Sequence, residues 1–384
     1  MVRSCPRKQR CSAGARARAS GPNPRDPLVP YRRIRLVRLW LSLVAALVFL
    51  TVVVGGATRL TESGLSIVEW RPLAGTVPPL SQAGWQAEFD KYKAIPQYEI
   101  VNRGMSLSEF KTIYWWEWGH RNVARLTGLV FLLPFLWLLW RRALPPGLSG
   151  GLAVIFGLGA VQAGVGWWMV SSGLADRISV SHYRLAFHLT LACLVFTALV
   201  WTAARVGAPR GLAVSWRLRA GAMLLGALVL VQIYFGALVA GMRAGLVYNT
   251  WPLIDDRFFP RADDLFFADP PWLNFFENAL TIQFTHRMVG YVLALVALLH
   301  LVDAVATAGA RKGVRGGALA LALAILAQIA VGVFTLVYRV PIELALLHQG
   351  AALVVLALAT LHAERLTRPA SVAMPVPNLV LAAR

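Results

Sequence analysis

The sequence predicts an all-α integral membrane protein, its eight transmembrane helices forming two pseudo-twofold-related four-helix bundles. Runs of about 20 apolar residues, the length that crosses a hydrocarbon core, occur eight times. The composition agrees, with 57% hydrophobic residues, 15% charged residues and a mean hydropathy of +0.59, values outside the range of ordinary soluble domains. The third observation is an internal repeat that pairs the first four runs with the last four.

The predicted spans are 36–57, 119–140, 149–170, 184–204, 218–240, 285–305, 317–337 and 343–363. Basic links separate them on one side: Arg141-Arg142, the segment around Arg217 and Arg219, and Arg311 to Arg315. Together with both termini these segments hold 23 of the 38 Lys/Arg residues and almost no acids. The positive-inside rule therefore puts both termini in the cytoplasm, as a multi-pass protein of an inner or plasma membrane. The formal charge of +20 is accounted for by this topology and by contact with anionic lipid. It forms no aromatic-interleaved stripe, so nucleic acid is excluded as a partner. Residues 1–35 read as a basic, disordered cytosolic extension, 36–210 and 211–365 as the two bundles, and 366–384 as a cytosolic tail. Cys5 and Cys11 lack partners for a zinc site, and Cys193 reads as a packing residue, so no disulfide framework is implied. On the other side lie two long loops, 58–118 and 241–284, rich in aromatics. Loops of this length are more often functional covers than spacers.

The repeat runs through named segments. VGGATRLTESGLS (54–66) parallels GALVAGMRAGLVYNT (236–250), and WGHRNVARLTG (118–128) parallels FTHRMVGYVLA (284–294). QAGVGWWMV (162–170) parallels QIAVGVFTLV (328–337), and AFHLTLACLVF (186–196) parallels LLHQGAALVVL (346–356). His120, His188, His286 and His348 thus occupy related positions near the starts of the even-numbered spans, at one face of the membrane. Buried ligating groups in a bilayer mark function. Imidazoles facing one another on neighbouring helices supply both axial ligands of a haem iron, which gives two sites, His120/His188 and His286/His348. Arg121, Arg184 and Arg287 stand beside these ligands, where a guanidinium suits a haem propionate; interfacial snorkelling is the competing reading. Glu117 projects from the same helix face as His120, and a carboxylate there suits proton transfer or stabilisation of positive charge on a substrate. Its counterpart is the uncharged Gln283, so the halves are chemically unequal.

The segments GGATRLTESGLSIVEW, WEWGHR, SHYRLAFHL, NTWPLID, QFTHR and LHQ, in that order over residues 36–365, resemble the heme A synthase family. The resemblance implies oxidation of a ring methyl of heme O to a formyl group by successive hydroxylations, giving heme A for terminal oxidase assembly. It also implies a haem b cofactor on His286 and His348, heme O as substrate between His120 and His188, and Glu117 as the catalytic glutamate. Some bacterial members carry a cysteine pair in the first outer loop. This chain has none between residues 58 and 118, so it resembles the cysteine-free branch of proteobacteria and mitochondria, and a mechanism through that thiol pair is excluded. No electron-donor motif is present, so electrons come from an external partner or quinol. Association with heme O synthase is implied by family analogy alone.

Two readings compete. One is a di-haem b-type electron-transfer cytochrome without substrate chemistry; the other is a repeat-built transporter, which leaves the histidines unexplained. Within the C-terminal half, His300 and His362 each follow a predicted ligand by 14 residues, about 21 Å along a helix. They read either as interfacial residues near the headgroups or as ligands of a further haem.

Overall fold

The computed structural model describes residues 28–368 apart from 210, 213 and 308–311. Of the predicted extension, 1–35, and tail, 366–384, residues 1–27, with Cys5 and Cys11, and 369–384 lie outside the described residues; residues 28–35, expected to be disordered, are instead the first turns of a helix that begins at Leu28. Eight helices are long and apolar enough to cross a membrane. They are α1 (Leu28–Leu60), α2 (Leu107–Trp140), α3 (Leu148–Ser171), α4 (His182–Arg205), α5 (Trp216–Gly241), α6 (Ala279–Thr307), α7 (Lys312–Val337) and α8 (Ile342–Thr367).

Most boundaries fall within a few residues of the sequence expectation, but α1 starts 8 residues earlier than predicted and α2 starts 12 residues earlier. Ser106 caps it: its Oγ accepts from the Glu109 amide, and the Glu109 carboxylate accepts from the Ser106 amide at 2.8 Å. This reciprocal box satisfies two otherwise orphaned amides. Residues 107–118 are therefore helix rather than loop, and Phe110, Tyr114, Trp115 and Trp116 ride on it. Inside the spans, threonine hydroxyls return to carbonyls four residues back, as at Thr51, Thr190 and Thr360. That leaves no unpaired hydroxyl at those positions in an apolar setting.

Helix α1 packs on α2, α4 and α8; α5 packs on α6, α8 and α4; α3 touches α2 and α4, and α7 touches α6 and α8. Helix α4 also meets α8. Exchanging α1–α4 for α5–α8 leaves this set of neighbours unchanged. One apolar cluster runs through both halves, from Leu41 and Val44 to Leu225, Leu321 and Leu356. The halves are not equally closed: the most apolar windows of α2 and α3 are each 11% buried, against 28% and 22% for α6 and α7. Helices α2 and α3 are thus less covered by the rest of the protein than α6 and α7.

The first outer segment has a core of its own, built from Leu65, Ile67, Trp85, Phe89, Tyr92, Ile95, Phe110 and Tyr114. The Tyr92 hydroxyl donates to Gln97 Oε1 (3.0 Å) and accepts from Asn102 (2.7 Å), and Gln97 donates to the Glu62 carbonyl (3.1 Å). Burial pushes the Tyr92 hydroxyl above the usual tyrosine range, so it stays a donor across ordinary pH.

Candidate haem-binding site

Each of the four repeat-related histidines lies against a glycine of the preceding odd-numbered helix. A Cβ placed on Gly55 would meet His120 Cε1 at 2.6 Å, one on Gly166 would meet His188 Cε1 at 3.0 Å, one on Gly236 would meet His286 Cε1 at 3.0 Å, and one on Gly332 would meet His348 Cε1 at 2.7 Å. Any side chain there would displace the imidazole. Four residues before three of these glycines stands a glutamine. Gln162, Gln232 and Gln328 donate to the backbone carbonyls of His188 (3.0 Å), His286 (3.0 Å) and His348 (2.7 Å). Their amide nitrogens also reach the rings, at 3.1 Å for His188 Nδ1 and His348 Nδ1 and 3.3 Å for His286 Nε2. Such contacts orient a ligating imidazole. At the fourth position Thr51 replaces the glutamine; its hydroxyl meets Thr127 Oγ1 at 3.2 Å.

His286 and His348 line a cavity of about 420 Å³ inside the C-terminal bundle, with Gln232, Gln328, Gly236 and Gly332. Several buried polar atoms here have no partner: His286 Nδ1, Arg287 Nε, and Oε1 of Gln232, Gln283 and Gln328. Unpartnered buried polar atoms are costly and call for an explanation. Two facing imidazoles, glycine walls and an underused guanidinium fit a haem with its carboxylates. In the N-terminal half His120 Nδ1 and Gln162 Oε1 are likewise buried without partners.

The cavity is not confined to residues 211–365. Gly56, Arg59 and Leu60 of α1, Glu62 in the turn that follows it and Leu189 of α4 also line it, because α1 packs against α8 as well as against its own half. Adjacent glycines of α1 serve both: Gly55 abuts His120, and Gly56 abuts the side-chain amide of Gln349, which donates to the Val52 carbonyl at 2.7 Å.

The predicted charged residues are placed differently from one another. Glu117 is 2% exposed and its carboxylate is fully engaged. It accepts from Ser66 Oγ (2.8 Å), the Ile67 amide (2.9 Å) and two nitrogens of Arg121 (2.6 and 3.1 Å). Arg121 also donates to the carbonyls of Ile67 (2.8 Å) and Glu69 (3.0 Å). These two residues clamp residues 66–69 onto α2. An (i, i+4) pair on one helix face makes the pairing natural. Arg184 donates to the Trp168 carbonyl (2.6 Å) and lies over the Trp168 ring, tying α4 to the end of α3. Arg287 lines the cavity and donates to the carbonyls of Leu253 and Tyr248, both at 3.3 Å.

His300 and His362 are buried, at 6% and 4% exposed. Their Nε2 atoms are 2.9 Å apart, a hydrogen bond and too close for an intervening iron, since two metal–imidazole bonds need about 4 Å. Sequence reasoning missed the three glutamines as histidine partners and Arg59 and Arg243 as cavity residues. The first group carried a signal, the recurring Gln-x3-Gly.

A family model described as cytochrome oxidase assembly protein matches residues 38–360. Among curated proteins, the heme A synthase of Bradyrhizobium sp. (strain BTAi1) is 56% identical over 348 residues, 90% of this chain and 96% of its own. The heme A synthases of Rhodopseudomonas palustris (strain BisB5) and Bradyrhizobium sp. (strain ORS 278) are each 54% identical; they span 90% and 92% of this chain and 94% and 98% of their own. The chain therefore belongs to the cytochrome oxidase assembly protein family and, within it, to the heme A synthases.

Proposed function

We propose that this protein oxidises a ring methyl of heme O to a formyl group, producing heme A for terminal oxidase assembly. The observation that carries the reading is the set of four histidines, each seated on a glycine, divided between two unequal halves. The cavity around His286 and His348 suits a resident haem b, which when bound supplies one-electron redox chemistry. Gln232 and Gln328 set the two imidazole planes, and Arg287 takes part in holding the carboxylates. The N-terminal half suits the substrate. His120 and His188 would bind the iron of heme O, and the less covered α2–α3 side suits exchange of a membrane-soluble molecule.

Glu117 belongs to this site through the clamp it forms with Arg121. The pair fixes residues 66–69 above His120 and restricts water there. Arg184 holds the opposite rim. The matching neighbour sets of α1–α4 and α5–α8 support a pseudo-twofold along the membrane normal, with the N-terminal bundle over 36–210 and the C-terminal bundle over 211–365. The basic links support cytoplasmic termini in an inner or plasma membrane. Electrons would come from an external donor, and heme O from a synthase with which this protein would associate.

One observation favours the di-haem electron carrier: the Glu117 carboxylate, engaged by four donors, has no free site for proton exchange. Expression with a heme O supply, followed by haem extraction and chromatography, separates the two readings. The enzyme yields heme A or its hydroxylated precursor; the carrier yields neither.

A further inference from the structure

We propose that Arg59, a residue of the N-terminal half, joins Arg243 and Arg287 in holding the two carboxylates of the cofactor between His286 and His348. The resident haem site is then one that neither half builds alone. This inference rests on the placement of a haem in the C-terminal cavity.

Four charged residues line that cavity: Arg59, Glu62, Arg243 and Arg287. Glu62 pairs with Arg243 at 2.7 Å, which leaves two positive charges in excess. A haem carries two propionates, so the excess matches the charge of the ligand. The guanidinium of Arg59 donates to the Ala240 carbonyl at 2.6 Å, one bond for a group with five N–H donors. Among the described residues no carboxylate lies within 4.0 Å of Arg59 or Arg287. Arg287 Nε is buried and unpartnered. Cations held at a partly apolar cavity with no carboxylate in contact are unfavourable unless a ligand neutralises them.

Position agrees with charge. Arg59 follows Gly55, the glycine under His120, by four residues, about 6 Å toward the same end of the helix at which Arg243 leaves α5. Both lie above the histidine level, and both line the cavity from the side of α1 and α5. The Glu62–Arg243 pair crosses between the halves and fixes Arg243 there. Gly56 lets Gln349, next to His348, approach α1 without a clash. The segment Gly55-Gly56-Ala57-Thr58-Arg59 is thus a wall shared by the two haem sites.

The test uses the full-length protein in detergent, loaded with haem, with Arg59→Leu and Arg59→Lys. Haem transfer to apomyoglobin and the haem midpoint potential are measured. Arg59→Leu is expected to lose haem at least about 10-fold faster, the scale of a hydrogen bond to a charged group. Its potential is expected to move to more negative values, because reduction then adds an electron beside an unneutralised carboxylate. Arg59→Lys should restore most of the potential. A purely structural tie to Ala240 would change thermal stability but leave the potential of bound haem where it was, and that result overturns the proposal. Should Arg59→Leu fail to accumulate, Arg59→Gln, which keeps a donor for Ala240, carries the potential measurement. Retention of the haem by His286→Ala would instead overturn the placement of the cofactor.

Discussion

Gly332→Ala separates the needs of the haem site from those of the helix. A Cβ at residue 332 would stand 2.7 Å from His348 Cε1, 3.3 Å from Nδ1 and 3.5 Å from Nε2. Ordinary carbon contacts need about 3.5–4.0 Å, so the ring must retreat by about 1 Å or α7 and α8 must part. Overpacking of this kind costs about 1–3 kcal/mol, while the gain in helix propensity from glycine to alanine returns about 1 kcal/mol. Net stability should fall by no more than about 2 kcal/mol, leaving a folded protein. The displaced ligand matters more: a shift of this size at a metal-ligating histidine should weaken haem binding by about 10- to 100-fold. The assay pairs the haem-to-protein ratio of the purified protein with its thermal unfolding. Gly226→Ala, where a Cβ meets nothing within 4 Å, is the control and should bind haem as the wild type does. Wild-type haem content and spectrum in Gly332→Ala would refute the cradle.

Other expectations follow from the same geometry. Gln328→Leu removes the donor to the His348 carbonyl and ring and should lower haem affinity by about 10- to 100-fold, read by the same haem ratio; an unaltered ratio would remove Gln328 from the site. Glu117→Ala leaves Arg121 without its carboxylate, a loss of about 3–5 kcal/mol for a broken buried pair. It should open residues 66–69 to limited proteolysis and abolish heme A while sparing the resident haem; normal heme A output would show the clamp to be dispensable. His300→Leu strands the His362 ring and should cost about 1–3 kcal/mol without changing haem content, whereas His300→Leu with His362→Leu should recover most of that stability. Loss of a haem in the single variant would mean that the pair ligates a cofactor.

How much of this was legible in the sequence depended on the distance over which each residue acts. The spans were readable because lipid imposes an apolar run of fixed length. The start of α2 was not, because Lys111, Glu109 and Glu117 break the hydropathy window; the Ser106-x2-Glu109 box marked the true start. The four histidines stood out through the repeat, and the glycines opposite them are fixed by the same register. The engagement of Glu117 with Arg121 was available from their (i, i+4) spacing, but the Ser66 and Ile67 donors come from a loop some 50 residues away. Arg59 carried no local signal at all, since Ala240 and Arg243, which it meets at the cavity, lie 180 or more residues further along the chain. His300 and His362 were correctly placed on the faces of His286 and His348, but spacing along two helices does not tell how closely those helices approach.

The central claim is that the four histidines form two pairs with different work. Haem content and heme A production should be measured side by side, in membranes supplied with heme O, for His120→Ala/His188→Ala and His286→Ala/His348→Ala. The first variant is expected to keep one haem b per chain and make no heme A, and the second to lose the haem b. Survival of the haem b in the second variant, or its loss from the first alone, would contradict the division.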